Sequence, residues 1–275
     1  MARREDINFG NVKVGDTAEI KTLKLGGDPL DSDDSADGTT VTATGAELNN
    51  LDRSAKVAYF TDFLGDAAPD ELALTAGAGT GNAVAISEGL GGRLSILTSS
   101  VDAAIAANAS AVALAGLDWQ ADQGGLAMEA RLQINDISEA YVFVGFTDVK
   151  PGTTLEAPIF LVAGDIDSDA ANACGVAVDV DGTTKQWFHG GVKANIDTVP
   201  AYSGATPTEG AYETIRVEVS EAGAVQGFID GVAIGDAVAN AVAIDTPLVP
   251  VIVVANRSAI PVTVLVDYIH VEMNR

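Results

Sequence analysis

Apolar and polar residues alternate in short runs over most of the chain beyond residue 58, which is typical of β-strands. In the run 213–219, Ile215, Val217 and Val219 share one face, so this strand is predicted to be half buried. The run 251–255 is apolar throughout, which predicts a strand covered on both faces. Similar runs occur at 93–97, 111–117, 127–134, 140–146, 174–179, 183–188, 225–229, 232–234 and 261–273. About ten short strands in series predict an all-β sandwich.

Turn residues separate several of these runs. Asp181-Gly182 and Asp230-Gly231 are residue pairs that two-residue hairpin loops prefer, so each is predicted to join two antiparallel strands. The alanine-rich stretch 103–117 is ambiguous, because alanine favours a helix whereas the neighbouring strands and its polar residues favour a loop followed by a strand. We predict the loop and the strand.

The first forty residues lack the apolar content of a core. Residues 12–25 alternate only roughly, and residues 26–40 combine glycine, proline and serine with five aspartates. We therefore predict an extended arm and an acidic linker over residues 1–40. Asp31 and Asp33 imitate the start of a calcium-binding EF-hand loop, but the glycine and the glutamate that such a loop requires are missing. The linker interpretation is preferred.

The segment 41–57 carries a helix signal. Thr44 and Glu47 have the spacing of a capping box, in which each side chain accepts a hydrogen bond from the other residue's backbone N–H. Leu48 and Leu51 lie three residues apart and therefore on one face. A helix of about two turns is unstable alone in water, so these leucines must be covered. Either copies of the helix meet around a threefold axis, which predicts a homotrimer, or the helix docks in a groove on the sandwich.

Composition excludes several classes of partner. The formal net charge is −24, which repels a phosphate backbone, so no nucleic acid partner is expected. Uncharged runs such as 103–117 are shorter than the roughly twenty residues that a membrane span needs, and the N-terminus lacks a secretory signal. One cysteine and two histidines cannot form a zinc cage of thiolates and imidazoles. We expect synthesis in a cytoplasm and no association with a membrane.

The charge is unevenly distributed between the arm and the rest of the chain. Residues 1–24 contain five basic and four acidic residues, net +1, so the remaining residues carry −25. The basic residues are Arg3, Arg4, Lys13, Lys21 and Lys24. They are the candidate residues for attaching the acidic body to a larger assembly.

Several stretches resemble a known fold. YETIRVEVSEAGAVQGFIDGVAIGD (212–236) and VTVLVDYIHVEMNR (262–275) resemble the concanavalin A-like, laminin-G-like jelly roll. The order of these stretches resembles structural proteins of tailed phages when YFTDFLGD (59–66), GGRLSILTSS (91–100), EARLQI (129–134) and YVFVGFTD (141–148) are included. TATGAELNNLD (42–52) resembles an element that precedes the folded domain of phage head-decoration, head-fibre and tail-fibre proteins.

The resemblance implies an all-β, concanavalin A-like jelly-roll sandwich over residues 58–275, preceded by the arm and the short helix. It implies a capsid decoration (cement) protein that binds the major capsid protein on the outer surface of the virion and stabilises the head. The basic arm residues would then contact the capsid. An alternative is a head-fibre or tail-fibre adhesin that binds a host glycan. A free carbohydrate-binding module of a bacterium is a third reading, which the missing secretion signal disfavours.

An acidic loop is a candidate calcium site. Asp165, Asp167 and Asp169, with Asn172, offer side-chain oxygens of the kind that Ca²⁺ binds, and jelly-roll relatives include calcium-dependent sugar binders. The glycine and the distal glutamate of a recognised calcium loop are missing, however. A solvated acidic loop without a cofactor is therefore the preferred interpretation.

An aromatic cluster is a candidate ligand platform. Trp187, Phe188 and His189 either stack on a sugar ring or contact a partner, or Trp187 and Phe188 close the edge of the core while His189 stays in solvent. The second interpretation is preferred, because the chain has few aromatic residues for its core.

Catalytic signatures are missing from the sequence. Glycanases among jelly-roll relatives use closely spaced acids on one strand, in the pattern Glu-x-Asp-x-x-Glu, because retaining hydrolysis needs two carboxylates about 5 Å apart. The sequence has no such run, and neither histidine lies in a motif of a serine or cysteine nucleophile. The sequence therefore predicts that the chain is not an enzyme.

Overall fold

The computed structural model describes residues 56–87, 91–101, 105, 109–114, 119–150, 155–182 and 184–274. All of them belong to one unit of the chain, Ser54–Arg275. The predicted arm and linker, and the predicted helix with Leu48 and Leu51, lie outside the described residues. Within the described ranges, no helix is long and apolar enough to cross a membrane.

Strands make up most of the described chain. In chain order they are β1 Lys56–Thr61, β2 Leu72–Ala76, β3 Ala83–Ser87, β4 Arg93–Leu97, β5 Ser110–Leu114, β6 Leu126–Ile134, β7 Ala140–Thr147, β8 Phe160–Val162, β9 Asp165–Asp167, β10 Asn172–Asp179, β11 Phe188–Lys193, β12 Ile196–Asp197, β13 Ala201–Tyr202, β14 Tyr212–Val219, β15 Val225–Ile229, β16 Val232–Ala233, β17 Val249–Asn256 and β18 Thr263–Asn274. A short 3-10 helix, Ala121–Gln123, precedes β6. The described strands form two eight-stranded sheets and one small hairpin of β8 and β9.

The two sheets are antiparallel and their strand order mixes distant parts of the chain. Sheet I has the order β16-β15-β14-β6-β18-β4-β3, and β1 also pairs with β18. Sheet II has the order β12-β11-β10-β7-β17-β5-β2, and β13 also pairs with β11. The C-terminal strand β18 thus lies between β4 and β6, so long crossings connect the sheets, as is typical of sandwiches.

The all-β sandwich that the alternation predicts is confirmed. β14 buries Ile215, Val217 and Val219, as its pattern predicts. Asp230 and Gly231 both have positive φ in the turn between β15 and β16, which is the conformation of a type I′ hairpin. The alanine-rich stretch contains β5, so the predicted strand is present there. The predicted loop before it is wrong at Ile105, which is helical and whose carbonyl accepts a hydrogen bond from the Ala109 N–H at 2.8 Å.

The turn at Asp181-Gly182 differs from the prediction. The next strand, β11, begins at Phe188 rather than directly after the turn, although β10 and β11 do pair antiparallel. The Asp179 carboxylate accounts for this difference, because it accepts a hydrogen bond from the Asp181 N–H at 3.1 Å and holds the chain in a local turn. A longer loop therefore separates the two strands.

The sheets pack face to face around a first core. It contains the inward residues of both sheets, and its largest buried side chains include Trp119, Met128, Phe146 and Trp187. Because aromatic residues are few, many valine, leucine and isoleucine side chains fill the rest of the space.

A second apolar core lies on the outer side of sheet II. Residues 155–170, which we call the covering segment, form one buried cluster with outward residues of the sheet such as Tyr141 and Phe143. The Tyr141 hydroxyl donates a hydrogen bond to the Ile159 carbonyl at 2.7 Å. Sheet II is therefore buried on both faces. This confirms the prediction for the run 251–255, whose residues in β17 enter the two cores alternately.

A pair of glycines makes room for an aromatic ring on sheet II. Gly145 in β7 and Gly175 in β10 are in register, and the Phe143 ring lies next to both positions. A Cβ atom on either glycine would collide with this ring and with a backbone carbonyl of the neighbouring strand. Close approach, rather than a turn, therefore requires glycine at these two positions.

A buried ion pair ties the covering segment to sheet II. Asp179 is fully buried and accepts hydrogen bonds from the Leu161 N–H at 2.8 Å and from Arg257 Nε at 2.9 Å. Arg257 Nη2 donates a second bond to the same carboxylate. The guanidinium lies 5.6 Å from the centroid of the Tyr141 ring and 5.7 Å from that of Phe160. This contact joins the end of β10, the covering segment and the residue after β17.

Candidate functional site

The two sheets differ in what lies on their outer faces. Sheet II carries the second core and the covering segment there. The outer face of sheet I instead carries polar and aromatic side chains that are exposed or half-buried. We call this surface the polar face, and its central side chains are Lys56, Phe60, Glu129, Arg131, Arg216, Glu218, Tyr268, His270 and Glu272. It is the candidate functional site.

Strand alternation and register bring these side chains together. Along 268–272 in β18, burial alternates, so every second residue points away from the core. His270 lies opposite Phe60 of β1 and Glu129 of β6, and Glu129 lies opposite Arg216 of β14. Four strands from distant parts of the chain therefore contribute to one row across the sheet.

An aromatic patch occupies one side of the polar face. Phe60 is 59% exposed, and its ring centroid lies 5.9 Å from that of Tyr268 and 6.4 Å from that of His270. The Tyr268 hydroxyl donates a hydrogen bond to Glu129 Oε1 at 2.7 Å. Burial and the Glu129 carboxylate raise the pKa of Tyr268 to about 12. The phenol therefore stays protonated at neutral pH and places no charge beside Phe60.

A network of ion pairs surrounds Arg216 beside this patch. Arg216 Nε donates to Glu218 Oε1 at 2.8 Å, and Nη2 donates to Glu272 Oε1 at 3.3 Å. Glu129 Oε2 lies 3.7 Å from Nη1, and Lys56 Nζ donates to Glu272 Oε2 at 3.3 Å. Burial opposes ionisation of Glu272, but the bonds from Arg216 and Lys56 outweigh it and lower the pKa of this carboxyl. Carboxylates from three strands thus hold the guanidinium in one position.

A shallow cleft of about 400 Å³ opens next to the Arg216 network. Ala127 of β6 lies in register between Glu272 of β18 and Glu218 of β14. Because alanine carries only a methyl group, the side chains of the two glutamates extend further from the sheet than that of the residue between them. The cleft is also lined by Lys56, Arg216, Ser220 and Gln226.

A second arginine lies on the polar face away from the cleft. Arg131 Nη1 donates to Asp267 Oδ2 at 2.6 Å, and the guanidinium lies 4.4 Å from the centroid of the Tyr212 ring. The cation–π contact and the ion pair fix this side chain against β14 and β18. Arg131 does not line the cleft.

The aromatic cluster that is a candidate sugar platform in the sequence is buried in the structure. Trp187, Phe188 and His189 all have no exposed surface, so they present no ring face to a ligand. Trp187 lies in the first core and Phe188 in the second. The expectation that His189 stays in solvent is corrected: its side chain is buried beside Gly227 of β15, and its Nε2 lies 3.1 Å from the Asp236 carbonyl.

We expect His189 to lower the stability of the sandwich in mild acid. Burial lowers the pKa of this imidazole, and the hydrogen bond with the Asp236 carbonyl opposes the shift only in part. The unfolded histidine, with a pKa of about 6.5, binds protons that the folded one does not. The contribution of His189 to the free energy of unfolding is therefore largest above about pH 6.5 and decreases as the pH falls below it, by up to about 1.4 kcal/mol at about pH 5.5.

Denaturant unfolding of the wild type and of His189→Gln at about pH 7.5 and about pH 5.5 measures this effect. Glutamine keeps a polar side chain without an ionisation, so the wild type should lose more stability on acidification than the variant does. An equal loss in both proteins would contradict the role of His189.

The three aspartates of the candidate calcium site do not converge. Asp165 and Asp167 are exposed at the two ends of β9, whereas Asp169 Oδ2 accepts a hydrogen bond from the Ala157 N–H at 3.1 Å within the covering segment. Among the described residues, no three aspartate, glutamate, histidine or cysteine side chains are grouped so that they could hold a metal ion. The basic arm residues and the leucines of the predicted helix lie outside the described residues.

The polar face is a site that the sequence analysis missed. Its residues lie at alternate positions of four strands that are distant in the sequence, so they form no contiguous motif. The available signal was the polar half of each alternating strand, for example Thr214, Arg216 and Glu218 in β14. By itself, this polar half indicates only which side of the strand faces solvent.

Comparisons with known proteins identify the fold. No protein-family model and no curated protein sequence matches the chain. The laminarinase of Rhodothermus marinus is 12% identical with a TM-score of 0.52, and the match covers 79% of this chain and 96% of that chain. LamA of Zobellia galactanivorans, solved with laminaritriose and laminaritetraose, is 9% identical with a TM-score of 0.55, and the match covers 80% of this chain and 99% of that chain. The carbohydrate recognition domain of Emp47p is 12% identical with a TM-score of 0.53, and the match covers 81% of this chain and 98% of that chain.

These matches correct the prediction that the chain is not an enzyme. The solved structures that resemble it are mainly glycan-cutting enzymes, namely laminarinases and a β-glucanase. The missing acidic motif therefore does not exclude an enzyme, because the fold is one that such enzymes use. At 9–12% identity the likeness shows the fold alone. The chain is an all-β sandwich of two sheets with the concanavalin A-like jelly-roll fold.

Proposed function

We propose that this chain is a virion protein whose sandwich binds a host glycan through the polar face. The observation that carries the proposal is Phe60, which is 59% exposed within an aromatic patch and beside a dense set of hydrogen-bonding groups. An exposed ring covers the apolar face of a sugar, and the carboxylates and guanidinium beside it bind hydroxyl groups. The fold neighbours support the proposal, since they include a structure with bound laminari-oligosaccharides and a carbohydrate recognition domain.

The proposed location of the chain on a virion rests on the sequence resemblance. Residues 42–52 resemble an element of phage head-fibre and tail-fibre proteins, in which it precedes the folded domain. In this role the sandwich contacts the host, and the N-terminal residues attach it to the particle.

Phe60→Ala is expected to weaken glycan binding about tenfold. Covering a phenylalanine ring contributes roughly 1.5–3 kcal/mol, and about 1.4 kcal/mol corresponds to a factor of ten in affinity. A glycan array first identifies ligands of the full chain, and affinity electrophoresis in gels containing the matching polysaccharide then compares the variants. Ile196→Ala is the matched control, because Ile196 is an apolar residue of similar exposure, 73%, on β12 of sheet II.

Two results would overturn the proposal. One is an array on which the full chain binds no glycan above the level of a control protein. The other is a set of gels in which Phe60→Ala migrates as the wild type does. The same mixtures should be assayed for new reducing ends, because many of the solved structures with this fold are glycan-cutting enzymes.

Capsid decoration is the second candidate function, and the uneven charge of the chain favours it. Residues 1–24 carry +1 and the remainder −25, so the N-terminal residues are suited to attach an acidic body to the major capsid protein on the outer capsid surface. Quantitative gel staining of purified virions separates the candidates. A decoration protein is present in numbers that scale with the capsid subunits, whereas a fibre adhesin is present in far fewer copies.

A further inference from the structure

We infer that the ligand of the polar face is an uncharged oligosaccharide of several linked sugars, bound so that one sugar covers Phe60 and another enters the cleft beside Arg216. This inference rests on the proposed glycan binding and adds the class of ligand and its position. Four properties of the described residues carry it: the shape of the cleft, its hydrogen-bonding groups, the local charge and the distance between the two contacts.

The shape of the cleft fits a narrow polar group rather than a flat surface. Glu272 and Glu218 form two walls on either side of Ala127, because the three residues are in register on adjacent strands, and the Arg216 guanidinium donates to both walls. Gln226 of β15 continues the row beyond Glu218. A volume of about 400 Å³ is at the small end of the range for ligand sites, so it admits part of a ligand rather than a large one.

The groups around the cleft favour hydroxyls as partners. Ionised carboxylates only accept hydrogen bonds and a guanidinium only donates them, whereas a hydroxyl group does both. Glu272 accepts from Arg216 and Lys56, and Glu218 accepts from Arg216, which leaves further acceptor capacity on each carboxylate. Two adjacent hydroxyls of a sugar can therefore bridge acceptor and donor groups that already stand side by side. The fixed position of the guanidinium means that little ordering is needed when the sugar binds.

The charge of the polar face argues against a charged ligand. Its three cations and four carboxylates nearly balance, and they are Lys56, Arg131, Arg216, Glu129, Glu218, Asp267 and Glu272. Residues 25–275 as a whole carry −25, since residues 1–24 contribute +1 to the total of −24. An anionic sugar would approach a strongly negative body and then meet carboxylates on both walls of the cleft, whereas a neutral sugar meets neither obstacle.

The distance between the two contacts requires more than one sugar. Phe60 lies on β1 and Ala127 on β6, with β18 between them, and their positions differ by two residues along the strands. With a strand spacing of about 4.8 Å and a rise of about 3.3 Å per residue, the two positions are roughly 12 Å apart. A single pyranose ring does not reach this far, so a ligand that contacts both must contain several linked sugars.

The test compares how tightly the full chain binds neutral and anionic polysaccharides. Affinity electrophoresis in gels that contain laminarin, mannan, galactan or dextran should retard the protein in at least one case. Gels with alginate, polygalacturonate or hyaluronate should not retard it. For a retarding polysaccharide, its trisaccharide or tetrasaccharide should bind at least about tenfold more tightly than the monosaccharide in calorimetry. Raising the salt from about 0.05 M to about 0.5 M should change this affinity less than about twofold.

Arg216→Lys tests the position in the cleft. Lysine keeps the positive charge but not the planar fork that contacts carboxylates from three strands. We expect about a tenfold loss of oligosaccharide affinity, with an unchanged affinity for the monosaccharide that covers Phe60. Arg131→Lys is the comparison variant: Arg131 belongs to the same face but does not line the cleft, so its replacement should change the oligosaccharide affinity less than Arg216→Lys does. Thermal unfolding of both variants separates loss of binding from loss of folding.

The outcomes separate this inference from the proposed function. Binding that depends on Phe60 but is as strong for anionic as for neutral polysaccharides, or that weakens steeply with salt, overturns the inference and leaves glycan binding in place. Two other results also overturn the inference. One is that Arg216→Lys and Arg131→Lys change the oligosaccharide affinity equally, and the other is that the oligosaccharide binds no more tightly than the monosaccharide. Failure of every glycan to bind overturns the proposed function itself and points to a protein partner for the polar face.

Discussion

Replacing Arg257 with methionine is expected to lower the free energy of unfolding by about 3–5 kcal/mol. Asp179 has no exposed surface, and it receives two hydrogen bonds from this guanidinium. Methionine fills a similar volume but donates no hydrogen bond, so the variant would hold an uncompensated charge in the interior. Denaturant unfolding followed by tryptophan fluorescence measures the loss.

Two further variants make this expectation specific. Adding Asp179→Asn to Arg257→Met removes the buried charge and should recover at least about 1 kcal/mol of the loss. Arg131→Met is the matched control, because its ion pair with Asp267 is partly exposed, and such pairs contribute about 0–1 kcal/mol. A loss in Arg257→Met no larger than in Arg131→Met would show that the pair does not hold the covering segment in place.

Trp187→Ala is expected to lower the free energy of unfolding by about 3–5 kcal/mol, as truncation of a large buried side chain does. The indole lies fully buried in the first core, and its Nε1–H donates to Glu213 Oε2 at 3.0 Å. The variant would therefore leave a cavity between the sheets and a half-buried carboxylate without this donor. Thermal and denaturant unfolding check the expected loss.

The chain offers a control that separates the hydrogen bond from the packing. Trp119 is equally buried, but its Nε1 has no hydrogen-bond partner in the part of the chain that the structure describes. Trp187→Phe should therefore cost about 1 kcal/mol more than Trp119→Phe, because only the first removes a bond to a carboxylate. Burial raises the pKa of Glu213 and the indole N–H lowers it, so Trp187→Phe should also raise this pKa further. Equal losses in the two phenylalanine variants would contradict a role for the bond.

The fold was accessible from the sequence because it follows from local patterns. Alternation in the run 213–219 gives the inward residues of β14, and the apolar run 251–255 gives a strand buried on both faces. Asp230-Gly231 gives a tight hairpin, since its backbone conformation depends on these two residues themselves. Each of these features is decided within a few residues of the chain.

The candidate site could not be predicted in the same way, because the order of the strands in the sheet decides which residues lie together. Phe60 and Arg216 belong to one row only because β18 pairs with both β1 and β6, and no local pattern fixes those partners. The aromatic cluster at residues 187–189 shows the same limit. In the sequence, Trp187, Phe188 and His189 look like a possible surface cluster. In the structure, Trp187 packs in the first core, Phe188 packs in the second, and His189 is buried beside β15.

The pairing of β1 with β18 has a mechanical consequence. Lys56 lies opposite Asn274, so the two ends of the described sandwich leave it side by side. A force that pulls on these ends acts along the inter-strand hydrogen bonds of the pair and loads them one after another. The sandwich should therefore open by unzipping from this corner at low force, rather than resisting by shear of the whole pair. Single-molecule stretching through positions 56 and 274 would show how much load the sandwich bears when it links two larger bodies.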